Sequence, residues 1–288
     1  ILGQKDDPSS DAQRKGELGM TVAVPESAWG CHLFPSGCGF PAPGASEFAF
    51  DPVFTIGIFE FTKPILLMFF AVFLVCAFFL WAYHKPKMVP RGVQNIGELA
   101  YTFIRDGITR DVIGKKGDAF VPYLFSFFFF IWVMNLFEVI PVFQFPPVSI
   151  FAIPVAFALI VYFTWVPLGI MKQGFGGFFK GMLVPSGVPL PMYILLTPIE
   201  LLSNFIVRPF THAVRLFANM FAGHLLLTTF SVAAWYLMSA SVIGVVGSIG
   251  SFAVLVGLTG FEIMIGLLQA YIFTLLTAVY LSDAYSGH

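Results

Sequence analysis

Charge is what this sequence has least of. Lys, Arg, Asp and Glu together make up 11% of its 288 residues, against about 25% in ordinary soluble domains. A water-soluble globular domain is therefore excluded. The formal net charge of −1 gives no basis for nucleic-acid binding. Cysteine is also scarce: three residues are too few for a disulfide framework. Cys31 and Cys38, with His32 beside the first, read as ordinary thiols ahead of one disulfide or half a metal site, because zinc wants four ligands at tighter spacing. There is no GxxxxGK[ST] stretch, so nucleotide binding of that kind is absent. No metal, cofactor or catalytic site of its own is expected.

What is present is apolar. The chain is 58% hydrophobic and contains 36 Phe, which together imply an all-α integral membrane protein. Twenty uncharged residues from Pro64 to Tyr83 (PILLMFFAVFLVCAFFLWAY) form a first span, about 30 Å long as a helix. Further spans are read over about 119–140 and 148–171. Between the first two, residues 93–113 alternate apolar Ile96, Leu99 and Phe103 with Glu98, Arg105 and Arg110, the pattern of a helix lying on the membrane surface. The basic residues of 84–118 and the Lys172 and Lys180 loop place those segments on the cytoplasmic or matrix side.

Residues 1–60 are rich in Pro, Gly, Ser and acidic residues and read as a retained, non-membrane extension of loops and short turns on the opposite side. The start at Ile1 rather than Met is read either as a removed leader or as first residues missing from the sequence. The membrane domain is expected over 61–288.

Two apolar stretches, 191–231 and 239–285, exceed forty residues each, about 60 Å as single helices and twice the hydrocarbon thickness. They are expected to be long, strongly tilted helices joined near Ala233–Ala240, with a partner inside the membrane to pack against. The first contains ELLSNFIVRPFTHAVRLFANMFAGH, residues 200–224. Burying a cation such as Arg215 costs at least roughly 2.5–3.5 kcal/mol, so it needs a partner or a function. On an ideal helix, Glu200, Asn204, Arg208, His212, Arg215 and Asn219 share an arc of roughly 120°. His224 lies half a turn from Arg215 in projection and about 13–14 Å along the axis. In the second stretch Ser251, Glu262 and Gln269 align within about 40°, and Asn135 and Glu138 close the second span.

RPFTHAVRLFANMFAGH (208–224), followed by GLLQAYIFTLLTAVYLS (266–282), resembles subunit a of rotary F-type ATP synthases. PRGVQNIGE (90–98) and NLFEVIP (135–141) add weaker likeness, so the resemblance covers most of 60–285. It implies a proton-translocating stator subunit whose long helices curve around a rotating c-ring, with two offset half-channels serving the ring's carboxylates. The family's essential arginine corresponds to Arg215. Asn219, His224, Glu262 and Gln269 correspond to polar positions that line the channels or support it. Glu200, His212 and Glu138 are further candidate lining residues, although the Glu200–Pro209 spacing is one residue longer than the family pattern implies. The order of His224 before Glu262 is similar to mitochondrial and alphaproteobacterial members, and a mitochondrial inner membrane is expected, with a bacterial plasma membrane as the alternative. Expected partners are the c-ring, the peripheral stalk and other stator subunits, and the lipid bilayer.

The competing functions are distinguishable by pattern. A different ion channel or secondary transporter subunit could also use intramembrane Arg, His and Glu, but transporters often show two related halves, and no such repeat is seen. A haem or quinone protein would need histidines facing each other across helices.

Overall fold

A computed structural model describes residues 54–56, 59–84, 87, 89–140, 142–183, 190–238 and 242–286, together with 44 and 48. Cys31, His32, Cys38 and most of the N-terminal extension lie outside them. Phe54–Ile56 (β1) and Phe59–Phe61 (β2) form a short antiparallel ribbon, with Phe54 opposite Phe61. The other elements are helical. They are α1 (Lys63–Ala82), α2 (Val93–Ile104), α3 (Val121–Val139), α4 (Ala152–Gln173), α5 (Phe175–Leu183), α6 (Leu190–Leu202), α7 (Arg208–Tyr236) and α8 (Val242–Ser286). A 3-10 turn at Lys115–Phe120 leads into α3. Among the described residues, five helical stretches are long and apolar enough to cross a membrane: Lys63–Ala82, Lys115–Val139, Ala152–Gln173, Leu196–Tyr236 and Val242–Tyr285.

The boundaries follow local chemistry. Pro64 sits in the first turn of α1, where a missing N–H costs nothing. Gly174, at φ 74°, ends α4 in the left-handed region that glycine tolerates. The third span begins at Ala152 rather than 148, because Pro146 and Pro147 lead into a separate 3-10 turn, Pro147–Ser149. The glycine-rich segment after Gln173, read as a loop, instead forms α5. Its Phe178 ring rests on Gly169, where a Cβ would overlap the ring. Phe178 thereby joins Trp165 and Ala284 in a buried cluster.

Two π-turns interrupt the helices. Arg105–Arg110 extends α2, and Thr109 donates from Oγ1 to the Ile104 carbonyl at 2.9 Å. Ser203–Val207 joins α6 to α7 immediately before Pro209. A π-turn takes up an extra residue without ending a helix, which accounts for the long Glu200–Pro209 spacing. It also puts Glu200 and Asn204 about 100° out of the register assumed for an ideal rod, so the single polar stripe of the sequence is not continuous.

The described residues divide between two compact units: those within 51–226 and 257–288, and those within 227–256 together with 44 and 48. The larger unit holds α1 to α6 and the greater parts of α7 and α8. Its phenylalanines pack ring on ring: Phe79 meets Phe125 and Phe129 edge-on at 4.7 and 5.2 Å. The apolar side of α2, with Ile96, Leu99 and Phe103, forms one wall of an open apolar cleft of about 1070 Å³. Its other side carries Arg105, Asp106 and Arg110, and Arg110 bridges to Asp106 at 3.1 Å and to Asp118 at 2.7 Å. This is the amphipathic division expected of a surface helix. In the smaller unit the ends of the two long helices are antiparallel neighbours, with Ser248 donating from Oγ to the Ala234 carbonyl at 2.5 Å.

Candidate functional site

The ionisable residues singled out in the sequence all belong to the larger unit, and α7 sorts them into two groups on either side of Arg215. The first group surrounds His224. Its Nδ1 lies 4.0 Å from Glu138 Oε1, brought in from the end of α3, and Phe145 lies edge-on to the imidazole at 5.4 Å. Glu262 of α8 rests its carboxylate against the backbone of Gly223, in space that any Cβ there would occupy. Asn135, one turn before Glu138, donates from Nδ2 to the Gly266 carbonyl at 3.1 Å and ties α3 to α8 beside Glu262. Glu138, His224, Glu262 and Asn135 are all buried. Glu138 Oε1 and Glu262 Oε2 accept no hydrogen bond among the described residues.

Burying such a group without a partner costs about 1–3 kcal/mol, so these oxygens call for a role. Glu138, named from the sequence only as a candidate lining residue, is thus brought beside His224, and Glu262 lies near enough to act on it electrostatically. Gln269 is buried on α8, two helical turns beyond Glu262.

The second group lies on the other side of Arg215. Glu200 accepts from Asn204 Nδ2 at 3.2 Å. Arg208 Nη1 lies 3.3 Å from Asp283 Oδ2, and its guanidinium sits over the Tyr280 ring at 5.5 Å. His212 packs on Phe273 at 3.9 Å between ring centroids and on Tyr280 at 5.7 Å. Neither His212 nitrogen has a hydrogen-bond partner among the described residues, and both are buried. Asn204, Arg208, His212 and Tyr280 border a cavity of about 10 Å³, room for about one water.

Arg215 stands between the groups. It is exposed on the outside of the chain. Among the described residues it makes no ion pair or hydrogen bond, while lying near enough to His212 and Tyr280 to act on both electrostatically. Neither Glu200, bonded to Asn204, nor Glu262, packed on Gly223, forms an ion pair with it among the described residues. Asn219 is half-buried one turn further along α7.

Sequence reasoning left Gly223 and Asp283 unnamed. Gly223 carried a signal, since a glycine inside a helix is unfavourable by about 0.5–1 kcal/mol unless a close approach requires it. Asp283 carried none: its partner is 75 residues away. No group of three or more potential metal ligands exists among the described residues.

A bundle of membrane-crossing helices with one uncompensated arginine between two buried polar groups defines the class: a multi-pass membrane subunit built to handle charge within the bilayer. The ATP synthase A chain family matches residues 65–282, and the chain belongs to that family. It is 47% identical over 264 residues to the ATP synthase subunit a of Streptomyces lividans, covering 90% of this chain and 92% of that one. It is 43% identical over 251 residues to the ATP synthase subunit a of Frankia alni, with 85% and 86% covered. It is 39% identical over 248 residues to the ATP synthase subunit a of Nitrobacter winogradskyi, with 84% and 98% covered. These relatives are bacterial, which favours the plasma-membrane alternative over the mitochondrial membrane expected from the order of His224 and Glu262.

Proposed function

We propose that this chain is the stator half of a rotary proton path, in which Arg215 separates two half-channels that open to opposite sides of the membrane. As a member of the ATP synthase A chain family it is a proton-translocating, non-catalytic subunit of the membrane sector. The finer reading is that one half-channel runs through Glu138, His224 and Glu262, and the other past His212, Asn204 and Glu200. The observation that carries it is the position of Arg215, without an ion pair or hydrogen bond among the described residues and flanked by buried polar groups in both directions along α7.

The chemistry follows from charge. A guanidinium opposite a carboxylate of a neighbouring ring favours the ionised form of that acid and so expels its proton. Arg suits the task because it stays protonated when desolvated, whereas Lys would not. The same fixed charge repels a proton moving directly from one group to the other. Glu138, His224 and Glu262 can each hold or release a proton, and their proximity lets one pass between them. Asn219 and Gln269 supply neutral polar contacts along the two long helices. Each proton crossing with the field releases about 2.3 kcal/mol per 100 mV.

The partner implied is a ring of subunits carrying a membrane-buried carboxylate, with peripheral-stalk and other stator subunits beside it. The host membrane is a bacterial plasma membrane, and the long helices are tilted to follow the ring. The basic segments face the cytoplasm, and residues 1–60 form a non-membrane extension on the other side.

Single cysteines at 204 and 224, in an otherwise cysteine-free complex, test the two-sidedness. A membrane-impermeant thiol reagent is expected to block proton conductance through Asn204→Cys from the cytoplasmic side and through His224→Cys from the opposite side. Blocking of both from the same side would refute the reading.

A further inference from the structure

We infer that the apolar cleft beside α2 is a binding site for an anionic phospholipid of the cytoplasmic leaflet, with its acyl chains in the cleft and its phosphate held by Lys87 and Arg91. The inference rests on the basic segments facing the cytoplasm and does not depend on the proton path.

The shape of the cleft selects the occupant. Its volume is about 1070 Å³, and α1, α3 and α8 wall it. α2 closes one end by meeting the cytoplasmic limit of each wall. Gly97 faces Ala82 and Tyr83 at the end of α1, and the Phe103 ring lies 5.8 Å from Phe128 of α3 and 6.0 Å from Tyr271 of α8. From Phe128 to Ile140 the α3 wall rises about 18 Å, little more than half of a hydrocarbon core about 30 Å thick. That is the depth of one leaflet. A protein helix crossing the whole bilayer would meet α2 before it reached the cytoplasm. Leu99 of α2 is 69% exposed on this side, so the apolar side of a surface helix is left for hydrocarbon to cover.

Charge at the rim selects the headgroup. Gln94, buried in the first turn of α2, accepts from the Lys87 N–H at 3.0 Å and donates from Nε2 to the Lys87 carbonyl at 3.0 Å. The Lys87 backbone is thereby fastened to α2 two residues before Ile96, which lines the cleft. Gln94 Nε2 also donates to Glu98 Oε1 at 2.8 Å, which engages the single acid of α2. Lys87 and Arg91 are exposed, and their side chains make no ion pair or hydrogen bond among the described residues. Two uncompensated cations beside a hydrocarbon-filled cleft favour a lipid of net negative charge over a zwitterionic one.

The test places the intact complex in phosphatidylcholine vesicles containing a trace of phosphatidylglycerol with a photoreactive acyl chain, or of the same probe built on phosphatidylcholine. Labelled peptides of this chain are mapped by mass spectrometry, and subunit content is checked. Peptides spanning 96–103 and 128–140 are expected to label more strongly with the anionic probe. Lys87→Gln is expected to lower that labelling about fivefold, equivalent to about 1 kcal/mol for one basic residue near the surface, and to leave the zwitterionic probe unaffected. Ala100→Trp, which fills the cleft, is expected to remove labelling by both. Equal labelling by the two probes, or no response to Lys87→Gln, overturns the inference. So does an unlabelled cleft, or loss of another subunit from the A100W complex, either of which would mark a protein segment as the occupant. Should A100W not assemble, Lys87→Gln and Arg91→Gln decide the matter. None of these readouts involves proton flux, so their failure leaves the half-channel reading standing.

Discussion

The carboxylate of Glu262 rests on the backbone of Gly223, the residue before His224. This contact brings the two long helices together where the first polar group is built, and it leaves no room for a side chain. Gly223→Ala is therefore expected to push the Glu262 carboxylate aside. The displaced atoms are the far end of a flexible side chain, so the fold should lose less than about 1 kcal/mol. Proton conductance should fall several-fold. Conductance equal to the parent, measured in vesicles with equal subunit content, would show that the placement of Glu262 is immaterial.

Glu138, His224 and Glu262 act as a unit in this account. His224→Ala and Glu262→Ala should each slow proton flux, and the double variant should lose less than the sum. Residues sharing one network typically couple by 0.5–3 kcal/mol. A conductance double-mutant cycle measures this directly, and strict additivity would mean that the two work independently. The same cycle between Glu138→Gln and His224→Ala should also be non-additive, given their 4.0 Å separation.

A control for acid sensitivity lies outside the proton path. A hydrogen bond from Arg105 holds the Asp106 carboxyl below its ordinary range, and Arg110 adds to the effect. A depressed folded-state value means that the stabilisation is present above the unfolded value of about 3.9 and is lost as pH falls through the lower folded one. Amide exchange across residues 93–110 should stay flat from neutral pH to about pH 5, after correction for intrinsic rates, and lose protection only in stronger acid. Asp106→Asn should remove that acid step. The pair is exposed, so the effect should be small, and loss of protection already near neutral pH would contradict it.

Much of this was readable in the chain. Uninterrupted apolar runs gave the spans, because a bilayer demands length and the absence of charge above all else. Arg215, His224 and Glu262 stood out for the same reason, being too costly to bury without purpose. The π-turn at Ser203–Val207 left one indirect mark, the extra residue between Glu200 and Pro209, but a period of 100° per residue does not show it, and it moved Glu200 and Asn204 off the common stripe. The helix Phe175–Leu183 was hidden by its glycines, one of which precedes it at positive φ. The nearness of Glu138 to His224 and of Asp283 to Arg208 depends on packing between distant helices, which no local pattern encodes.

The central claim is that Arg215 gates a proton path it shares with another polypeptide. Its most direct test is ATP-driven proton pumping by the assembled complex carrying Arg215→Ala. The account predicts normal subunit content and no coupled pumping; normal subunit content with pumping at the parent rate would contradict it.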